Sequence, residues 1–162
     1  MNADARVMEF YPGVFTPEQT KAMVEKIESS FEAKGFGLWA LETLATKEFI
    51  GYVGFSEAQF ESPFTPCIEI GWRLAYRYWG QGYAPEAARE VLRDGFDRLA
   101  MEEIVSFTSV LNTKSIRVME KIGMKRYPKE DFLHPALEDN HRLKPHVLYR
   151  LSKADWRARK RR

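Results

Sequence analysis

The sequence predicts an α/β (α+β) domain with a mixed central sheet flanked by helices, and three observations carry that expectation. Helical spacing of apolar residues alternates along the chain with short runs of aromatic and branched residues. Thr16-Pro17-Glu18-Gln19 has the pattern of a capping box with proline at the first helical position. The segment Arg77-Tyr78-Trp79-Gly80-Gln81-Gly82-Tyr83-Ala84 separates a strand-like run from a helix that opens with Pro85-Glu86. Two glycines one residue apart allow a sharp turn there, and amides at a helix start attract anions. Taken alone, this segment reads equally as a backbone cradle for a phosphate and as an ordinary strand-to-helix turn.

The elements follow in order. Met23, Ile27 and Phe31 recur at four-residue spacing after the capping box, giving a helix from Pro17 to Lys34 ended by Gly35. The runs Gly37 to Leu44 and Phe49 to Phe55, separated by the polar Thr46-Lys47-Glu48, read as an antiparallel hairpin. A proline-containing loop from Glu61 to Pro66 leads into a third strand, Cys67 to Leu74, which feeds the glycine loop. Ala84, Ala88, Val91, Leu92, Phe96 and Leu99 then mark a helix with one buried face. Glu103 to Val110 reads as a strand. Asn112 is placed to cap a short helix carrying Ile116, Met119 and Ile122, with Gly123 as its stop. Two last strands are expected near Met124 to Pro128 and His146 to Leu151.

At 162 residues the chain has the size of one domain, residues 1–162, with a substantial core. It contains no apolar run near the roughly 20 residues of a membrane helix and no signal-peptide pattern, so a cytoplasmic location without membrane contact is expected. A lone cysteine, Cys67, excludes an internal disulfide, and the scattered His134, His141 and His146 lack metal-ligand spacing, so no metal is expected. The formal charge of +2 is too small to argue for nucleic acid. The basic tail, residues 157–162, reads either as an RNA-touching segment or as a solubilising terminus, and the second is preferred.

Three motifs in order resemble the GNAT acetyltransferases, and within them the RimJ/RimL-like (ribosomal-protein N-acetyltransferase type) branch, which acetylates amines from acetyl-CoA. They are Glu69-Ile70-Gly71-Trp72, then Arg77 with Gly80, Gly82, Tyr83 and Ala84, then Asn112 and Ser115 with Gly123-Met124. The resemblance covers nearly the whole chain. It implies that Arg77 and the loop Trp79, Gly80, Gln81, Gly82, Tyr83 and Ala84 hold the pyrophosphate of CoA, while Trp72, Arg73 and Leu74 pair with the pantetheine arm. Pantetheine amides extend a strand edge where neighbouring strands part, which suits this placement. Read without the resemblance, Asn112 and Ser115 describe a helix cap. With it, both are implied to lie beside the CoA arm, where Ser115 hydrogen-bonds or protonates the departing thiolate, and Ser115 is the candidate acid because the tyrosine many relatives use is missing between residues 112 and 123.

Glu69 is the candidate base or water-positioning residue. Strand alternation sets it on one face with Cys67, Gly71 and Arg73, opposite Ile68, Ile70, Trp72 and Leu74, so that it either serves an acceptor cleft or pairs with Arg73. Cys67 as an acyl carrier is set against a structural thiol, and the resemblance implies direct transfer. The carboxylates of the segment Asp131 to Asp139 are a further candidate attraction for a cationic amine, and His134 is read as a proton carrier or a surface residue. The family begins with a strand and a first helix, whereas this chain opens with Met1 to Phe10 in the register of that helical region. Either the true start lies upstream or the edge strand is missing, and an open sheet edge would invite a homodimer. The expected function is N-acetyl transfer from acetyl-CoA to a primary amine, a protein N-terminus or a small molecule. The alternatives are a catalytically silent acetyl-CoA-binding module and an RNA-associated protein.

Overall fold

A computed structural model describes residues 1–159. The elements are α1 (Pro17–Lys34), β1 (Leu38–Glu42), β2 (Phe49–Ala58), β3 (Cys67–Leu74), α2 (Tyr83–Asp97), β4 (Glu103–Ser109), α3 (Thr113–Lys121), β5 (Lys125–Arg126), β6 (Phe132–Leu133), β7 (Pro145–Ser152) and α4 (Lys153–Arg159). The sheet runs in the order β1-β2-β3-β4-β7-β5, with β6 also on β7. Every pairing is antiparallel except β3 with β4. The mixed α/β class is therefore the observed one.

Helix α1 begins and ends where its capping box and Gly35 predict. The Thr16 hydroxyl accepts from the Gln19 amide at 3.2 Å, and the Gln19 side chain accepts from the Thr16 amide at 2.8 Å. Gly35 takes the left-handed conformation at φ 72°. The helix nonetheless buries no residue fully. Phe31 meets Trp39 edge-on, with ring centroids 5.2 Å apart, and through it α1 leans on the hairpin.

The core lies between the sheet and α2. Ala88, Val91, Leu92 and Phe96 of that helix are buried against Val53, Phe55, Ile70 and Ile104. Gly95 and Gly54 permit this closeness. A Cβ on Gly95 would stand 2.6 Å from the Phe55 ring, and one on Gly54 would stand 2.0 Å from the Gly37 carbonyl oxygen of the neighbouring strand entry.

Several expectations change. The first hairpin strand stops at Glu42, because Thr43 to Lys47 form the turn, with Lys47 at φ 57°. β5 shrinks to two residues, since Pro128 lacks the amide a strand needs and starts a 3-10 turn instead. β6 is too short to carry a periodic signal. Arg157 and Arg159, read as part of a solubilising terminus, belong to α4, where Trp156 stacks on Phe96 at 5.5 Å. The rest of that basic tail, residues 160–162, lies outside the described residues. No described strand precedes α1; residues 1–15 instead pack as turns against β3, with Val7 and Met8 buried.

The close approach at Gly54 gives a stability test. Gly54→Ala is expected to cost about 1–3 kcal/mol, because the added carbon meets main chain rather than a movable side chain. Gly71→Ala, where a Cβ meets nothing within 4 Å, is expected to stay within about 0.5 kcal/mol of the parent. Denaturant unfolding of the two variants reads both.

Candidate active site

The ladder between the two parallel strands, β3 and β4, contains a single registered pair, Glu69 with Val105. Beyond it the strands part. From Ile70 to Leu74, β3 is paired only on its β2 side, so its other edge faces a gap. The gap widens into two clefts, one of about 530 Å³ toward the starts of α2 and α3 and one of about 320 Å³ on the Glu69 side. Phe10, Tyr11, Trp72, Asn112 and Ser115 line both. The clefts therefore meet at Ser115.

The larger cleft is built around the glycine loop. Gly80 and Gly82 take φ values of 75° and 92°, conformations that residues with a Cβ adopt only under strain. The amides of residues 80–84 have no hydrogen-bond acceptor among the described residues, and Gly82 caps α2 without a side-chain contact. The Trp79 indole donates to the Leu74 carbonyl at 2.8 Å, which fixes the loop to the end of β3. Lys114, Arg117, Lys121 and Arg73 line this cleft, and among the described residues no carboxylate does. Free amides at a helix start beside cations fit a phosphate-bearing group.

Asn112 performs two tasks. Its Oδ1 accepts from the Ser115 amide at 3.2 Å, and its Nδ2 donates to the Thr108 hydroxyl at 3.0 Å. The first bond caps α3 and the second ties that cap to the end of β4, so Ser115 is held at the junction of the clefts.

Two residues of the predicted donor site, Arg77 and Gln81, lie outside the lining of the larger cleft, and Arg73 lines it with its guanidinium already engaged. The Arg77 guanidinium pairs with Glu48 of the hairpin turn, joined there by the Tyr78 hydroxyl, and it does not line the cleft. Gln81 folds back, its Nε2 donating to the Arg77 carbonyl at 2.7 Å. Arg73 is buried under the N-terminal segment, donating from Nη1 to Asn2 Oδ1 at 3.0 Å and lying 4.0 Å over the Tyr11 ring. Arg73 thus makes no pair with Glu69, and that alternative is removed. Trp72, Leu74, Trp79, Gly80, Gly82, Tyr83 and Ala84 all line the larger cleft.

The smaller cleft contains Glu69, flanked across the sheet by Ser56. Glu69 is half-buried at the cleft wall, and desolvation of its carboxyl by burial raises its pKa to about 8, against a weaker lowering by the hydrogen bond with Ser56. His134 and His146 stand beside it with ring centroids 5.0 Å apart, and burial lowers both below the ordinary histidine range. They are not scattered, and His134 is not a plain surface residue. The carboxylates of the 131–139 loop turn away: Asp131 pairs with Arg126, and Asp139 with Lys144. The loop contributes His134, Ala136 and Leu137 to the cleft instead. Burial pushes the Cys67 thiol up to about 11, which leaves it protonated and a poor acyl carrier.

Sequence reasoning missed one wall altogether. Phe10 and Tyr11 line both clefts, held there by Asn2 and by Arg142, which donates to the Glu9 carbonyl at 2.7 Å. The ring cluster of Phe60, Phe64, Phe107 and Phe132 under the histidines was equally hidden, since its members come from three separate segments, the loop before β3, β4 and β6.

An anion-suited cleft and a carboxylate-bearing cleft that meet in a sheet gap give room for two reactants side by side. The family model for the "Acetyltransferase (GNAT) domain" matches residues 1–125. Over 121 residues the chain is 38% identical to the uncharacterized protein YkkB of Bacillus subtilis, covering 75% of this chain and 69% of that one. Over 130 residues it is 32% identical to the FsC-acetyl coenzyme A-N(2)-transacetylase of Aspergillus fumigatus, covering 75% and 52%. A solved GNAT-family acetyltransferase from Bacillus anthracis superposes with a TM-score of 0.75 at 30% identity, covering 94% of this chain and 85% of that one. The chain belongs to the GNAT acetyltransferase family and is an acyltransferase.

The raised Glu69 pKa has a consequence for folding. Between the ordinary carboxylate range and about 8, the native state keeps a proton that the unfolded chain has released, so stability falls as pH rises through that window and levels off above it. His134 and His146 act with opposite sign below about 6.5, which makes the difference from Glu69→Gln the informative quantity. Thermal unfolding from about pH 5 to pH 8 is expected to show a smaller decline in Glu69→Gln than in the parent. An identical decline would remove Glu69 as the proton-holding group.

Proposed function

We propose that this enzyme transfers an acetyl group from acetyl-CoA directly to a primary amine. The observation that carries this reading is the division of charge across the sheet gap: cations and free amides line one cleft, and a single carboxylate among the described residues lies in the other. Acetyl-CoA supplies a thioester that an amine attacks. The amides of Gly80 to Ala84 bind its pyrophosphate in this reading, the Trp79 amide being held by the Tyr76 carbonyl, and the open edge of Trp72 to Leu74 pairs with its pantetheine arm. Asn112 lies beside the arm while keeping its cap. A main-chain amide at the end of β3 receives the charge on the acyl oxygen.

Glu69 acts as the base, directly or through a water. An attacking amine must be neutral. An α-amine, which ordinarily titrates near 7.8, loses its proton at pH 7 for about 1 kcal/mol, whereas a lysine, ordinarily near 10.4, requires about 5 kcal/mol. A carboxylate titrating at about 8 is matched to the first task. A protein N-terminus or a small amine of similar acidity is the acceptor this base serves best. Ser115, at the meeting point of the clefts, donates a proton to the departing thiolate. The family's known branch that modifies ribosomal proteins uses acceptors of the same kind, and the three motifs shared with it support placing this chain there.

Ser115→Ala tests the reaction. With acetyl-CoA and an amine panel, CoA release by the parent is expected, and the variant is expected to lose roughly tenfold or more in kcat with little change in KM for acetyl-CoA. Unchanged kcat would confine Ser115 to the helix start, and absence of CoA release from the folded parent with every amine would favour a silent acetyl-CoA-binding module.

A further inference from the structure

The Glu69 cleft carries information on the acceptor beyond its being an amine. Among the described residues Glu69 is the only acidic one in its lining, and no lysine or arginine joins it. The two histidines are held toward their neutral forms by burial, so they add neither a counter-ion for a second ammonium nor a standing repulsion. The rest of the wall is largely apolar or aromatic: Phe10, Tyr11, Phe107, Leu137, Leu143 and Met119. Phe107 is backed by the rings of Phe60, Phe64 and Phe132 at centroid separations of 5.5 to 6.0 Å, which fixes the ring face presented to the cleft. At about 320 Å³ the space is at the small end of ligand sites. A polyamine brought here would leave its second and third charges desolvated without partners, whereas an amine on an apolar body would cover the rings.

Resting on the amine-transfer reading above, we propose that the acceptor is a primary monoamine carried on an aromatic or branched apolar body, and that the cleft discriminates against polyamines and small hydrophilic amines. The chemistry is balanced without a further reactant: the amine nitrogen forms the bond to the acetyl carbon, the carbon–sulfur bond breaks, one amine proton leaves, and the thiolate takes up a proton. The same charge-and-shape rule applies to a free arylalkylamine and to a peptide that begins with phenylalanine.

The test measures kcat/KM by CoA release, referred to the neutral fraction of each amine at the assay pH so that basicity drops out, for 2-phenylethylamine, a short peptide with an N-terminal phenylalanine, ethanolamine and spermidine, after acetyl-CoA binding has been established by calorimetry. One of the two aromatic acceptors is expected to exceed both spermidine and ethanolamine by roughly tenfold or more, and whichever is faster identifies the source as small molecule or protein terminus. Spermidine or ethanolamine equalling the better aromatic acceptor would overturn the proposal and leave amine transfer standing. Bound acetyl-CoA with no release for any amine would overturn both. Ala136 is exposed and lines the cleft, so Ala136→Asp adds a second carboxylate without disturbing the core. That variant is expected to raise spermidine turnover relative to 2-phenylethylamine by about fivefold or more. An unchanged ratio would contradict the charge-counting basis of the proposal.

Discussion

The parting of β3 from β4 after one registered pair is the constraint from which the rest of the site follows. A parallel pair continued to Leu74 would satisfy the edge of β3 and close the gap. Because the pairing stops at Glu69 and Val105, the protein has an unpaired strand edge, two clefts that communicate, and a place where α3 can begin between them. The Asn112 bond to Thr108 holds that helix start on β4, and the Trp79 bond to the Leu74 carbonyl holds the glycine loop on β3. Each wall of the gap therefore carries its own anchored polar feature.

Electrostatics then separates the two sides. Helix-start amides and Lys114, Arg117 and Lys121 make one side attractive to anions. On the other, desolvation acts on Glu69 and on both histidines in opposite directions, raising the carboxyl and lowering the imidazoles. Both shifts favour neutral forms, so the smaller cleft is a weakly charged, ring-lined space with one latent negative charge. A cation brought beside Glu69 would lower the carboxyl pKa and favour release of that proton to solvent.

Local signals made much of this legible in the sequence. The capping box and Gly35 marked the two ends of α1, the alternation of Cys67 to Leu74 matched β3 residue for residue and set Glu69 opposite Ile70, and Asn112 announced the start of α3. Gly80 and Gly82 identified the loop because only glycine adopts those φ values without strain. What failed was non-local. Arg73 was read from its place on the strand, but its partners Asn2 and Tyr11 lie some sixty to seventy positions earlier. Arg77 matched a motif while its charge was already taken by Glu48 of the hairpin turn. The Phe10 and Tyr11 wall has no periodicity to betray it, and the acidic look of residues 131–139 hid the fact that Asp131 and Asp139 were paired elsewhere.

Amide hydrogen exchange with and without acetyl-CoA tests the central claim most directly, because it reads the open strand edge and the loop amides themselves. Acetyl-CoA is expected to slow exchange at Trp72 to Leu74 and at Gly80 to Ala84, while β1 and α1 stay unchanged. Saturating acetyl-CoA that leaves both segments exchanging at their free rates would contradict the role assigned to the gap between β3 and β4.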